Sequence, residues 1–299
     1  MKKEMDCDYV IAVPELKKRQ VQIPSKIIPL NKATTYYNNF YQTRLANYTQ
    51  NSLRAVWFDY KALKDYFIYV TNFCSDKQIK ISRFAFLLGA NKNNQRTIFI
   101  APVTYDEQLD LHRAFSFDNN KITYLHRFAG EPYSTVKDFD KLQSVDQSLI
   151  LHNSHSISSA EAITLYNNYH DAITAPFSAI VELDTRFVYY EVGEFEEYLS
   201  FLDDQAALNN ISLSGINVVF AAHQNNEDAG IYANHLTLFF APTLKGNRNC
   251  SFFSFDKPNE NILDFSKNTL NPQPIKILSS QLSTLFNFGQ GGPPPKHWD

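Results

Sequence analysis

The chain has 299 residues, of which 44% are apolar and 20% charged, with a net charge of −3. That length holds two domains of ordinary size and the apolar share is enough for real cores; the near-neutral charge excludes a polycationic surface, and with it a nucleic-acid binder lacking a local basic patch. No run approaches the ~18 consecutive apolar residues of a membrane-spanning helix, and the three cysteines, far apart and without CxxC spacing, point to reduced thiols in a cytoplasmic setting.

The lead, residues 1–27, places Glu4, Asp6 and Asp8 before its short apolar run, unlike a signal peptide. Its compact basic stretch, Lys17-Lys18-Arg19 beside Glu15, reads as a solvated segment. A first unit, residues 28–122, opens with Ala33, Tyr37, Phe40, Arg44/Leu45 and Tyr48 at helical spacing, with Asn31 as its expected N-cap. A short strand from Arg54 to Asp59 follows. Next comes an amphipathic helix carrying Leu63, Tyr66, Phe67, Val70 and Cys74 on one stripe. Strands are expected over 81–90 and 97–101, the second stopped by Pro102, and a last one around Phe115-Ser116-Phe117-Asp118.

A connector, residues 123–156, contains a stretch from Val136 to Leu151 that reads as a short helix. A second unit, residues 157–288, then repeats the order of the first. Tyr166-Asn167-Asn168 falls on Tyr37-Asn38-Asn39, Arg186 on Arg54, Tyr198 on Tyr66, Ser214 on Ser82, Ala241-Pro242 on Ala101-Pro102, and Phe253 to Asp256 on Phe115 to Asp118. So long a shared order implies an internal duplication. Ser158 or Ser159 is the expected cap of the first repeated helix. Leu278, Leu282, Leu285 and Phe286 suggest a C-terminal helix, and residues 289–299, with glycine followed by three prolines, an extended polyproline II tail. The fold class is therefore α+β: two tandem homologous units, each helix-strand-helix-strand-strand-strand, with a mostly antiparallel sheet and helices on one face. The strand-helix-strand step allows one parallel pair.

Tyr190, Tyr198, Ser214-Gly215-Ile216, Ala221-Ala222, the Thr237 to Thr243 strand and Pro293 to Pro295 together resemble a family of small uncharacterised α+β proteins common in Bacteroidota. The resemblance covers the second unit closely and the first more loosely, where Arg83 stands for Gly215. It implies a fold and carries no activity.

Chemistry has few footholds. The chain has no GxGxxG, GxxxxGK[ST], GxSxG or HExxH motif, so the common nucleotide, hydrolase and zinc-protease readings have no motif behind them. The units differ most in one hairpin loop, expanded in the second unit to run from His223 to His235 with Glu227 and Asp228 between. Hairpin ends are neighbours, so these two imidazoles with a carboxylate form a candidate metal site, zinc by ligand type, or an acid/base pair. Asn38, Asn39, Asn167 and Asn168 are poor interior helix residues; they read as helix-to-loop hydrogen bonders or, with Arg54 and Arg186, as candidate ligand-binding groups.

The leading expectation is a non-catalytic binding or protein-interaction module, built as an intramolecular pseudo-dimer, whose partner is another protein or a small ligand rather than nucleic acid or membrane. No cofactor is expected under it. The alternatives are a metal-dependent enzyme using the His223–His235 loop, with zinc as the candidate metal, and a carbohydrate-binding protein.

Overall fold

The computed structural model describes residues 22–46, 53–106, 111–118, 121–125, 136–138, 157–169, 184–246, 248–270, 283–287 and 290–292. In the N-terminal half the elements are α1 (Leu30–Arg44), β1 (Ala55–Asp59), α2 (Tyr60–Asp76), β2 (Ile81–Ala90), β3 (Arg96–Asp106), β4 (Leu111–Asp118), β5 (Lys121–Tyr124) and β6 (Val136–Asp138). The C-terminal half has α3 (Ser159–Tyr169), β7 (Phe187–Glu191), α4 (Val192–Leu208), β8 (Leu213–Ala222), a 3-10 segment (Glu227–Tyr232), β9 (Leu236–Leu244), β10 (Cys250–Phe252), β11 (Ile262–Asp264) and β12 (Gln290–Gly292). The molecule is α+β, and every named ladder is antiparallel.

Strand periodicity sends Phe84, Phe86 and Leu88 of β2 to one face and Ala85 and Leu87 to the other, and all five are buried. A strand buried on both sides needs cover on both sides. The first face joins a central core with Leu63, Phe67, Val70 and Cys74 of α2, Phe195, Tyr198 and Leu202 of α4, and Ile216, Val218 and Phe220 of β8. The second face packs on Ala162 and Tyr166 of α3. β8 behaves alike: Val219 and Ala221 point away from the central core, onto Ala33 and Tyr37 of α1. Helices thus cover both faces of each sheet, where the sequence reading places them on one; strands with no polar face leave no other arrangement.

The expected parallel pair does not form. β1 pairs instead with β8, setting Asp59 opposite Gly215 and Ala55 opposite Val219. β7 in turn pairs with β2, setting Glu191 opposite Arg83 and Phe187 opposite Leu87. The sheet orders are β1-β8-β9 and β12-β7-β2-β3-β4-β5-β6. Each half therefore lends its first strand to the other half's hairpin, and α1 follows β1 onto β8 as α3 follows β7 onto β2. α2 and α4 carry the chain between the sheets instead of crossing over within one, because their apolar stripes face the gap between the sheets, where Phe67 meets Phe84 at 4.3 Å and Phe195 at 4.4 Å. Asp59 caps α2, its Oδ1 accepting from Ala62 N at 2.9 Å. Glu194 Oε2 accepts from Glu191 N at 3.4 Å at the start of α4.

Other expectations need correction. Pro29, not Asn31, caps α1, since proline already holds the extended backbone that an N-cap requires; Ser158 Oγ does accept from Glu161 N at the start of α3. Val136–Asp138 pairs with β5 as a strand, and the rest of the expected connector helix lies outside the described residues. Phe253 to Asp256 is not a strand: the ladder stops at Phe252, although Phe253 and Phe255 remain buried. Leu285 and Phe286 are extended rather than helical, Phe286 bridging both Ile27 and Phe240, because the β9 edge has backbone groups to satisfy and Tyr198 offers a stacking partner at 4.4 Å. Gln290–Gly292 pairs with β7; Pro293 to Pro295 lie outside the described residues. No described helix is long and apolar enough to cross a membrane.

Candidate functional site

Helical spacing puts Arg44 on the same stripe as Ala33, Tyr37 and Phe40, so a guanidinium is carried into the interior at the end of α1, where it is only 2% exposed. Burying a charge there is costly unless it is met by a counter-charge and hydrogen bonds. Asp184 meets it: Arg44 Nε and Nη2 each lie 2.9 Å from Asp184 Oδ2. Arg44 Nη2 also donates to the Asn234 carbonyl at 2.7 Å. Asp184 Oδ1 accepts from the backbone N–H groups of Thr185 and Leu236, both at 2.9 Å. One carboxylate thereby ties the end of α1, the lead into β7 and the start of β9.

Three more arginines gather around this pair. Arg96, at the base of β3, is buried with its guanidinium 5.7 Å from the Phe40 ring. It lies within electrostatic reach of Arg44, Arg54, Asp184 and Tyr169. Arg54, in the lead into β1, is 3% exposed and lies over the Tyr41 ring at 4.8 Å and the Tyr37 ring at 5.9 Å. Arg186, in the lead into β7, lies over Tyr166 at 4.0 Å and donates from Nη2 to the Tyr166 carbonyl. Both arginines also accept through the backbone, the Arg54 carbonyl from Phe220 N at 2.8 Å and the Arg186 carbonyl from Leu88 N at 3.0 Å.

The electrostatics follow from burial. Desolvation pushes the Arg54 and Arg96 guanidinium groups below the ordinary arginine range, and the neighbouring arginines lower Arg96 further. Arginine keeps its proton in proteins, so the penalty persists as concentrated positive charge. At an effective dielectric of about 20, like charges roughly 8 Å apart repel by about 2 kcal/mol. Burial, with Asp184 adding to it, drives the Tyr169 hydroxyl well above its usual range. Burial lowers His235, with Asp184 opposing and Arg44 assisting.

The loop histidines do come together. His223 N donates to the His235 carbonyl at 2.9 Å, and the His223 ring meets Tyr36 edge-on at 5.0 Å. Burial, then His235 and Lys32, pushes His223 down to about 4. Glu227 and Asp228 sit on the 3-10 segment, and their side chains lie outside the described residues. Among the described residues no group of three His, Cys, Asp or Glu side chains is placed to hold a metal.

The asparagines of α1 are committed to backbone. Asn38 Nδ2 donates to the Leu270 carbonyl and its Oδ1 accepts from Leu270 N, both at 2.8 Å. Asn39 Nδ2 donates to the His223 carbonyl. Asn167 and Asn168 are half-buried on α3. Arg54 and Arg186, expected as binding groups, belong to the arginine cluster. Arg44, Arg96 and Asp184 escape the sequence reading, although a charged residue on an apolar stripe was the available sign for Arg44.

No protein-family model matches the chain, and no curated protein or solved structure matches it.

Proposed function

We propose that the chain is a non-catalytic binding protein of the cytoplasm, an internally duplicated pseudo-dimer of two α+β units that receives a small ligand or partner where its halves interlock. One observation carries this reading: the reciprocal exchange of β1 and β7 places Arg54 and Arg186 at corresponding points of the two sheets and gathers buried charge at the seam. Fold stability alone favours apolar residues in such places, since buried charges cost more than well-packed hydrophobic substitutes. The cytoplasmic part draws on Cys74, a buried thiol outside any disulfide. Burial pushes Cys74 up to about 12, the behaviour of an inert core thiol.

Native mass spectrometry of the protein purified gently from the cells that make it, set against its denatured mass, tests the reading. A bound small mass or co-purifying chain is the expected result. A bare monomer from every preparation, with no thermal response to a metabolite library, overturns it.

The zinc-enzyme alternative draws on the closeness of His223 and His235 and on the depressed protonation of both rings, since neutral imidazole is the form that ligates metal. It requires stoichiometric zinc in the purified protein, lost in His223→Ala. The carbohydrate alternative has less support, because Asn38 and Asn39 already bond to backbone.

A further inference from the structure

The two sheets treat the outer edge of their borrowed strand differently. The Arg186 carbonyl accepts from Leu88 N, and bonding direction alternates along an antiparallel strand. The backbone groups of Val188 and Tyr190 in β7 therefore turn to β2, and those of Phe187 and Tyr189 turn outward. β12 lies along that edge, setting Gly292 opposite Phe187 and Gln290 opposite Tyr189. In the other sheet the Arg54 carbonyl accepts from Phe220 N, so Val56 and Phe58 of β1 serve β8, while the backbone groups of Ala55 and Trp57 turn outward. Among the described residues no strand lies alongside them. Burial agrees: Phe187, Val188 and Tyr190 of β7 are buried, whereas no residue of β1 is. An open edge is a template for a further strand. Val56 and Phe58 pack on the central core and Ala55 on the cluster around α1. A strand continuing this sheet thus meets apolar cover on both faces, which suits a segment apolar at every position.

We propose that the outer edge of β1 is a strand-docking site, occupied by residues 9–13 of the same chain. Residues 1–21 lie outside the described residues. Within them Tyr9-Val10-Ile11-Ala12-Val13 is the one run apolar at every position and rich in β-branched and aromatic side chains, the pattern of a strand. Asp8 and Pro14 bound it, and its length matches the five residues of β1. The chain also reaches. Ile27 bridges Phe286, which bridges Phe240 of β9, and β8 separates β9 from β1. Ile27 is therefore about four strand spacings from β1, roughly 19 Å, and residues 14–26 span about 40 Å when extended. The site is independent of the ligand seam described above: it completes the sheet of β1, β8 and β9 with a segment from one end of the chain, as β12 completes the other sheet with a segment from the opposite end.

Amide hydrogen exchange read by NMR tests it, on the full chain and on a variant carrying both Val10→Pro and Ile11→Pro. Adjacent residues of a strand point opposite ways, so the pair of prolines removes a ladder donor whichever residue faces β1. In the parent the outward amide of Trp57 should exchange at least tenfold more slowly than in the variant. The amides of Val56 and Phe58, bonded to β8, should stay protected in both and so report that β1 itself is intact. Cross-strand nuclear Overhauser contacts from residues 9–13 to Ala55–Asp59 in the parent give the same answer without any variant. Fast exchange at Trp57 in the parent means an open edge and overturns the proposal. Slow exchange that the variant retains puts a different segment of this chain on the edge. Slow exchange that fades on dilution, with a dimer in light scattering, puts a second copy there. Either of those results overturns the proposal as well.

Discussion

At Gly215 the two halves solve one packing problem in opposite ways. Trp57 lies on β1 beside β8 and donates from Nε1 to Thr243 Oγ1 at 3.0 Å. A Cβ added to Gly215 would sit 2.6 Å from the Phe58 carbonyl oxygen and closer still to the Trp57 indole. In the other ladder the corresponding strand residue is the smaller Tyr189, and Arg83, in the place of Gly215, covers its ring at 4.3 Å and bonds Glu191 at 2.7 Å. The glycine-to-arginine difference thus follows the size of the neighbouring ring. Gly215→Ala should cost about 1–3 kcal/mol by overpacking, measured by urea unfolding. Gly193→Ala, in α4 where nothing lies within 4 Å of the new Cβ, should be neutral or stabilise by up to about 1 kcal/mol. His223 supplies a pH test at the same scale. Its folded value is near 4, against about 6.5 in an unfolded chain, so the unfolded state takes the proton first as pH falls. The stability from the neutral imidazole is complete above about pH 6.5 and is lost on the way down to about pH 4. His235, Lys32, Tyr36 and Tyr232 surround the ring. Between pH 7 and pH 5 the parent should therefore lose about 2 kcal/mol more than a His223→Gln variant, read from paired urea curves.

Elements are held to one another here by single polar groups at their ends, and Asp184 is the clearest case. It anchors α1 through Arg44 and fixes the start of β9 through Leu236 N. Asp184→Leu strands the buried Arg44 charge and should cost about 3–5 kcal/mol; adding Arg44→Met should recover part of that, since the unmatched charge is then gone while the two backbone N–H groups stay unmet. A double-mutant cycle by chemical denaturation checks both steps. The unequal legibility of the sequence also belongs at this scale. α2 was readable because Leu63, Phe67, Val70 and Cys74 form a local stripe, and all are buried. The α1 asparagines were readable as helix-to-loop bonders because asparagine has little other use inside a helix. The destination of β1 was not readable: strand periodicity tells which residues are buried, and says nothing about which of two similar hairpins lies alongside. The site suffered for the same reason. Arg54 and Arg186 stood out through their corresponding positions, whereas Arg96 and Asp184 join Arg44 only after the halves interlock. The final FSFD run misled because its phenylalanines are buried without being in a ladder, packing Phe255 against Phe201 at 6.3 Å and Phe252 at 5.2 Å.

For the whole molecule, the exchange of first strands makes each half depend on the other. Without the C-terminal half, β2 loses β7 from one edge, β1 has no β8 to pair with, and the central core loses the rings of Phe195, Tyr198 and Phe240. Each large side chain uncovered costs roughly 2 kcal/mol in burial, several times over against a total stability of about 5–15 kcal/mol for ordinary proteins. Residues 1–156 and 157–299 expressed separately should therefore be unfolded or aggregated, with open β2 and β8 edges as the sticky surfaces. Co-expressed, they should form a one-to-one complex with the circular dichroism spectrum of the intact chain. A fragment that pairs its own β1 with the β2 of a second copy would appear as a symmetric homodimer, a sign that the two ladders remain interchangeable. Size-exclusion chromatography with light scattering separates the three results. A stable, monomeric N-terminal fragment with a cooperative unfolding transition would show that its sheet closes without β7, and that the strand exchange sets where the arginines meet rather than whether the chain folds.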